Sequence, residues 1–214
     1  MTALVTCQNL ARAYGRGPDA LVAVHSVTCE LRPGDQVAVT GPSGSGKTTL
    51  LHLLAGLDRP TAGRIGWPAF GDRPRGRVGV VFQGPSLLPP LDVAENVALP
   101  LIIAGLGEAE AKERALIALA TIGLADLAGS LPEELSGGQA QRVAVARVLA
   151  AGPRLIIADE PTAQLDSDLA RRVVDLLTAV AYQLDAALVV ATHDPAVAAR
   201  LPRSWTMSDG ALTC

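Results

Sequence analysis

The chain has 214 residues, of which 49% are hydrophobic and 18% charged, so its size and composition favour one packed globular unit and exclude a disordered protein. A net charge of −3 and an aromatic fraction of 3% argue against nucleic-acid binding, which needs clustered Lys and Arg or several exposed rings. Cys7, Cys29 and Cys214 are odd in number and lack the spacing of zinc ligands, which indicates reduced thiols in a cytosolic protein.

Neither a leader nor a membrane span is predicted. The N-terminal residues lack a basic segment followed by a long apolar one, so we expect no cleavable signal peptide. The most apolar stretch, 97–107, is shorter than the roughly 20 residues of a spanning helix and contains Pro100.

Strand and helix patterns alternate along the chain, which predicts an α/β fold with a mainly parallel sheet. In chain order, we expect a strand at 36–40, a helix at 47–55, an exposed hairpin or loop at 63–76 and a strand at 78–82. A helical insertion with two helical patterns, 108–122 and 139–150, follows. The last elements are a strand at 155–158, a helix at 167–184 and a strand at 188–192.

A phosphate-binding loop stands between the first predicted strand and the helix after it. Residues 41–48 match GxxxxGK[ST], and this strand–loop–helix context separates the motif from a chance glycine-rich turn. The backbone N–H groups and the helix N-terminus attract phosphate, Lys47 reaches the β- and γ-phosphates, and Thr48 binds Mg²⁺. The expected nucleotide contacts here are Gly41, Pro42, Ser43, Gly44, Ser45, Gly46, Lys47, Thr48 and Thr49.

Two adjacent carboxylates end the predicted strand 155–158. Ligands of open parallel sheets bind beyond the carboxyl ends of the strands, so Asp159 is placed to hold Mg²⁺. Glu160 lies nearer the γ-phosphate, where a carboxylate orients and polarises the attacking water. Such an acidic pair is equally common at a helix N-terminus, and the phosphate loop upstream favours the catalytic interpretation.

A third motif distinguishes among phosphate-loop proteins. The string LSGGQ comprises Leu135, Ser136, Gly137, Gly138 and Gln139, and it precedes a predicted helix that Ser136 can cap. With the two motifs above, it makes the chain resemble the ATP-binding subunits of ABC transporters over essentially its whole length. The resemblance implies a head-to-tail dimer in which Ser136 and Gly138 contact the γ-phosphate held by the other subunit.

Further residues match ABC motifs one by one. By resemblance, Gln83 is the glutamine that ligates Mg²⁺ and senses the membrane partner, and His193 is the switch histidine that contacts the γ-phosphate. Asp166 matches the loop that contacts the opposite subunit, although Gln164 replaces the small residue usual there. Tyr14 matches the aromatic residue that stacks on adenine.

The resemblance also implies the overall organisation. We expect a single ABC ATPase domain, 1–214, with a RecA-like core and an N-terminal antiparallel β region in 1–84 and 153–214. Residues 85–152 are expected to form a helical subdomain that carries the signature motif. The implied cofactors are ATP and Mg²⁺, and the implied partners are a separately encoded membrane permease and a second copy or homologous ATPase. The chain is then cytoplasmic and held at the inner face of the membrane by the permease.

Two other kinds of phosphate-loop protein do not fit the sequence. A GTPase needs an NKxD string, which the two asparagines, Asn9 and Asn96, do not form, and a small-molecule kinase leaves LSGGQ without a role. The phosphate loop and the stretch 80–100 resemble the branch that serves lipoprotein release, macrolide export and cell division. An ATPase of a cell-envelope remodelling complex therefore remains the alternative to a transport motor.

Overall fold

Two β-sheets and six α-helices make up the part of the chain that the computed structural model describes, residues 2–15, 17, 20–71, 74, 76–84 and 86–214. The strands are β1 (Val5–Tyr14), β2 (Leu21–Leu31), β3 (Gln36–Thr40), β4 (Ala62–Gly66), β5 (Val78–Val81), β6 (Leu155–Asp159), β7 (Ala187–Ala191), β8 (Arg203–Ser208) and β9 (Ala211–Thr213). The helices are α1 (Lys47–Leu54), α2 (Val93–Ile103), α3 (Glu108–Thr121), α4 (Gly137–Ala151), α5 (Ser167–Gln183) and α6 (Pro195–Ala198).

The larger sheet has six strands in the order β5-β6-β7-β3-β8-β9, all parallel except β9. Its central strands are apolar on both faces. In β6, Leu155 and Ile157 face one hydrophobic cluster, whereas Ile156 and Ala158 face the other. The sequence-based prediction of a mainly parallel sheet is confirmed, because burial on both faces is what produced the continuous apolar runs.

The smaller sheet is antiparallel, with the strand order β2-β1-β4, which confirms the predicted antiparallel region. Helix α1 contacts β2 of this sheet as well as β6 and β7 of the larger one. The hydrophobic cluster that contains Leu155 and Ile157 therefore joins the two sheets. The segment 63–76 was predicted as an exposed hairpin or loop. Part of it is β4, and Trp67 forms a bridge to Gly71 but is buried, while residues 72, 73 and 75 lie outside the described residues.

Three helices, not the predicted two, follow the fifth strand before β6 begins. Helix α2 was missed because it is apolar on most of its surface and contains Pro100, so it shows no helical periodicity. Its start is nevertheless marked by a capping box, in which the Asp92 carboxylate accepts from the Glu95 N–H and the Glu95 carboxylate accepts from the Asp92 N–H. Helices α2, α3 and α4 pack against one another, and α4 also packs against α5. Most of their buried side chains belong to the hydrophobic cluster that contains Ile156 and Ala158.

Strands β8 and β9 were also not predicted. Both are short, and outward-facing polar residues alternate with buried ones such as Trp205 and Met207, a pattern too brief to read locally. Among the described residues, no helix is both long and apolar enough to cross a bilayer.

Candidate active site

One cavity of about 570 Å³ gathers side chains that are far apart in the sequence. Several of them lie in the loops that begin at the carboxyl ends of β3, β5, β6 and β7, where ligands of parallel sheets bind. The lining residues are Tyr14, Leu21, Ala23, Ser43, Gly44, Gly46, Lys47, Thr48, Thr49, Gln83, Glu160 and His193.

The loop 41–48 curls tightly ahead of α1. Gly46 has a φ of 98°, and a Cβ there would lie 2.2 Å from the Ala23 carbonyl oxygen, so only glycine fits. Lys47 is 8% exposed, and its Nζ donates to the carbonyl oxygens of Gly41 and Pro42 at 2.8 and 2.9 Å. A buried ammonium therefore lies within the loop, at the N-terminus of a helix, which is a strong anion site.

Glu160 is held in the cavity by its backbone and by two neighbouring side chains. Its φ of 46° is left-handed, an uncommon conformation for a residue with a Cβ, and its N–H donates to the Ala191 carbonyl at 3.0 Å. The carboxylate lies 3.9 Å from Lys47 Nζ, and His193 Nδ1 lies 2.9 and 3.0 Å from its two oxygens. An ionised carboxylate accepts only, so the His193 N–H is the donor. An acid, a cation and an imidazole thus converge on one point.

The residues expected to hold Mg²⁺ offer only oxygen donors, which hard divalent cations prefer. Asp159 is 8% exposed, and its Oδ1 is buried without a hydrogen-bond partner among the described residues. Unpaired buried carboxylate oxygens are costly, so this atom suits a cation. Thr48 and Gln83 line the cavity, whereas Asp159 lies at the end of β6 outside its lining. The donor set fits the metal.

Tyr14 lies at the edge of the cavity with its ring fixed from two sides. Its hydroxyl donates to Asp58 Oδ2 at 3.0 Å, and the Arg12 guanidinium covers the ring at 4.5 Å from the centroid. Arg12 also donates to Asp58 Oδ2 at 2.8 Å. Because Arg12 occupies one face of the ring, a base can stack on the opposite face only.

The signature string and Asp166 lie apart from the cavity. Ser136 caps α4, its Oγ accepting from the Gln139 N–H at 3.3 Å and its N–H donating to Gln139 Oε1 at 2.7 Å. Asp166 caps α5. None of the six residues Leu135, Ser136, Gly137, Gly138, Gln139 and Asp166, all of them described, lines the cavity that holds Lys47. One chain therefore brings together only part of the predicted site.

Comparisons with known proteins identify the family. The family model described as ABC transporter matches residues 24–163. The chain belongs to the ABC transporter family. It is an ATPase subunit of an ABC transporter, as expected from its three motifs.

Relatives of this ABC subunit match along nearly its whole length. The lipoprotein-releasing system ATP-binding protein LolD of Legionella pneumophila (strain Paris) is 38% identical over 219 residues, covering 98% of this chain and 96% of that protein. The protein of the same name from Paramagnetospirillum magneticum is 42% identical over 214 residues, covering 95% of each. Among solved structures, the dimeric post-hydrolysis state of the ATP-binding cassette MJ0796 bound to ADP and Pi is 36% identical. It has a TM-score of 0.86 and covers 98% of this chain and 97% of that one.

Sequence reasoning missed one buried pair in this ABC subunit, Asn96 and Arg147. The Asn96 amide donates to the carbonyls of Leu88, Leu91 and Asp92, and its Oδ1 accepts from the Leu88 N–H at 2.7 Å. Arg147 of α4 donates to Asn96 and to the Ser86 carbonyl, so it joins the signature helix to the segment after Gln83. A single Asn and a single Arg have no distinctive local sequence pattern. They are identified only in the folded structure, where Asn96 is 1% exposed and Arg147 is half-buried.

Proposed function

We propose that this subunit binds ATP with Mg²⁺ in the cavity, hydrolyses it, and so drives lipoprotein release by a transporter of the LolD type. A single observation supports the catalytic part of this proposal. The Glu160 carboxylate lies 3.9 Å from Lys47 Nζ and 2.9 Å from His193 Nδ1. The lipoprotein cargo is proposed from the LolD relatives, whose similarity extends over the full chain.

The chemistry follows from the positions of these groups. Loop N–H groups and the α1 N-terminus bind the phosphates, and Lys47 exchanges its carbonyl acceptors for phosphate oxygens, stronger partners because they are anionic. Glu160 orients a water for attack on the γ-phosphorus and accepts its proton, while His193 holds the carboxylate and contacts the γ-phosphate. Thr48, Gln83 and Asp159 would hold Mg²⁺, and the bound ion would supply positive charge against the charge that develops on the phosphate oxygens.

Two subunits are proposed to form the working unit. The signature residues and Asp166 lie outside the cavity of their own chain, and Gly137 and Ser136 are exposed. In a head-to-tail dimer, Ser136 and Gly138 of one subunit close the γ-phosphate site of the other, and Asp166 contacts the opposite subunit. The MJ0796 cassette, similar in fold, is dimeric.

Residues 85–152 are proposed to receive a separately encoded membrane subunit at the cytoplasmic face. A groove of about 370 Å³ between α2 and α3 is lined by Leu91, Leu99 and Ile102 among others, and Ile103 beside it is 76% exposed. Exposed apolar side chains around a groove are typical of interaction sites. Gln83 connects this region to the nucleotide, since it lines the cavity and precedes α2.

Glu160→Gln tests the catalytic proposal. The amide keeps the size of the side chain but cannot accept a proton, so we expect the rate of phosphate release to fall at least 100-fold while ATP binding persists. An ATP-bound dimer should accumulate in size-exclusion chromatography. Glu110→Gln, on the exposed face of α3, is the matched control and should retain activity. Normal turnover by Glu160→Gln would exclude Glu160 as the base.

A further inference from the structure

Two of the three cysteines face each other across the antiparallel sheet. Cys7 of β1 is paired in register with Cys29 of β2, within the regular stretch that begins at Val5 and Leu31. Directly opposed residues of antiparallel strands have Cα atoms about 4.5–5.5 Å apart, within the range of disulfides. Both side chains contact the same hydrophobic cluster, Cys7 at 2% exposure and Cys29 half-buried, so the two thiols share one face of the sheet.

We propose that Cys7 and Cys29 form a reversible disulfide that joins β1 to β2, with Cys29 as the attacking thiol and Cys7 as the resolving thiol. The proposal is independent of the proposed transport function, because it rests on strand register and thiol contact alone.

The two thiols differ in a way that assigns their roles. A hydrogen bond from the Cys7 thiol lowers the pKa of Cys29, although burial opposes this effect. The same contact, reinforced by burial and by the charge of Cys29, raises the pKa of Cys7 far above its usual range. Since the thiolate is the nucleophile, and Cys29 is the more accessible of the two, an oxidant reacts first at Cys29.

The reaction is thiol–disulfide exchange with a small-molecule disulfide such as oxidised glutathione. The Cys29 thiolate attacks one sulfur, forming a mixed disulfide and expelling one thiolate, which takes a proton from water. Cys7 then loses its proton and attacks Cys29 Sγ, forming the Cys7–Cys29 bond and expelling the second thiolate, which is protonated in turn. Two cysteine thiols are oxidised by two electrons, and the oxidant leaves as two thiols.

Cys214 is the competing partner. It follows β9, which contacts β2, but it is exposed and is not in cross-strand register with Cys29. Partial burial and the charge of Cys29 raise the pKa of Cys214, although the charge of Arg203 opposes them. Within the described residues, no group of three or more His, Cys, Asp or Glu side chains is arranged to hold a metal ion.

The cross-link should leave the nucleotide site intact. The sheet that carries the pair also carries Tyr14 and Leu21 at the cavity, but register shifts separate Cys7 from Leu10 and Leu10 from Arg12. Such bulges absorb small changes of strand geometry. We therefore expect the disulfide to stabilise the sheet, with ATP hydrolysis changed less than about twofold.

The test uses the full chain with Cys214→Ser. This protein is incubated with oxidised glutathione and alkylated under denaturing conditions, and its intact mass is then measured by mass spectrometry. We expect a species that has lost two hydrogens and takes up no alkyl group, with a melting temperature raised by about 5 °C, and reduction should reverse both changes. Peptide mapping should place the bond between residues 7 and 29.

Two control variants separate the steps. Adding Cys7→Ser to Cys214→Ser should stop the reaction at a glutathione adduct on Cys29, whereas adding Cys29→Ser should prevent an adduct at residue 7. The proposal is overturned if Cys214→Ser protein stays alkylatable at both cysteines or keeps glutathione. It is also overturned if the wild-type chain joins Cys29 to Cys214 instead.

Discussion

Arg147→Met is the substitution that most directly tests how α4 is held to α2. Helix α2 contains Pro100, which has no N–H, so the Asn96 carbonyl lacks its usual partner four residues later. Arg147 Nε donates to this carbonyl at 3.2 Å, and its two amino groups donate to Asn96 Oδ1 at 3.2 Å and to the Ser86 carbonyl at 3.3 Å. The arginine thus replaces a helix hydrogen bond that the proline removes.

The magnitude follows from these contacts. Methionine keeps most of the apolar stem but removes the donor to the Asn96 and Ser86 carbonyls, whereas Asn96 Oδ1 keeps the Leu88 N–H. Hydrogen bonds to a charged group stabilise by about 1.5–3 kcal/mol, and burial, which lowers the pKa of Arg147, reduces the net value. We expect the free energy of unfolding to fall by about 2–3 kcal/mol and the melting temperature by about 5–10 °C.

A double-mutant cycle with Pro100→Ala makes the test specific. Alanine restores the missing N–H, so Pro100→Ala should stabilise the Arg147→Met protein by about 1 kcal/mol more than it stabilises the wild type, as measured by urea denaturation. Arg114→Met, which removes an exposed i,i+4 pair with Glu110 on α3, is the control and should change stability by under about 0.5 kcal/mol. Strictly additive effects of Arg147→Met and Pro100→Ala would refute the reasoning.

Two further predictions concern Gly138 and Asp58. A Cβ on Gly138 would lie 2.2 Å from Leu169 Cδ2, so Gly138→Ala should lower the free energy of unfolding by about 1–3 kcal/mol, as measured by thermal unfolding. Adding Leu169→Ala should restore much of this loss. Stabilisation of the protein by Gly138→Ala would contradict this packing. Burial opposes ionisation of Asp58, but hydrogen bonds from the Arg59 N–H, Tyr14 and Arg12 lower its pKa on balance. Its stabilising effect is therefore present above the unfolded pKa of about 3.9 and is lost as the pH falls through the lower folded value. The difference in melting temperature between wild type and Asp58→Asn should accordingly stay constant from about pH 7 to 5 and shrink below about pH 4, and a constant difference at all pH values would exclude the contribution.

Local sequence patterns predict many of the strands and helices. The runs that became β3, β5, β6 and β7 are apolar on both faces, and this requirement is visible in the sequence without any long-range information. Helix α5 could also be predicted from the sequence, because its buried positions recur with helical spacing on one face. Helix α2 was not readable, since a nearly uniform apolar segment with an internal proline has no period.

The candidate site divides in the same way. The order strand, glycine-rich loop, Lys47 and helix determines a phosphate site by itself, because neighbouring residues supply the backbone N–H groups, the charge and the helix terminus. The chain also determines that Asp159 and Glu160 end a buried strand, which places both at the sheet edge where ligands bind.

Only the tertiary structure decided which distant groups touch. It brings His193 to 2.9 Å from Glu160, pairs Cys7 with Cys29 across a sheet, and fills the hydrogen bond lost at Pro100 with an arginine 47 positions further along the chain. No local pattern encodes these contacts, because each depends on strand order and helix packing that many residues determine together.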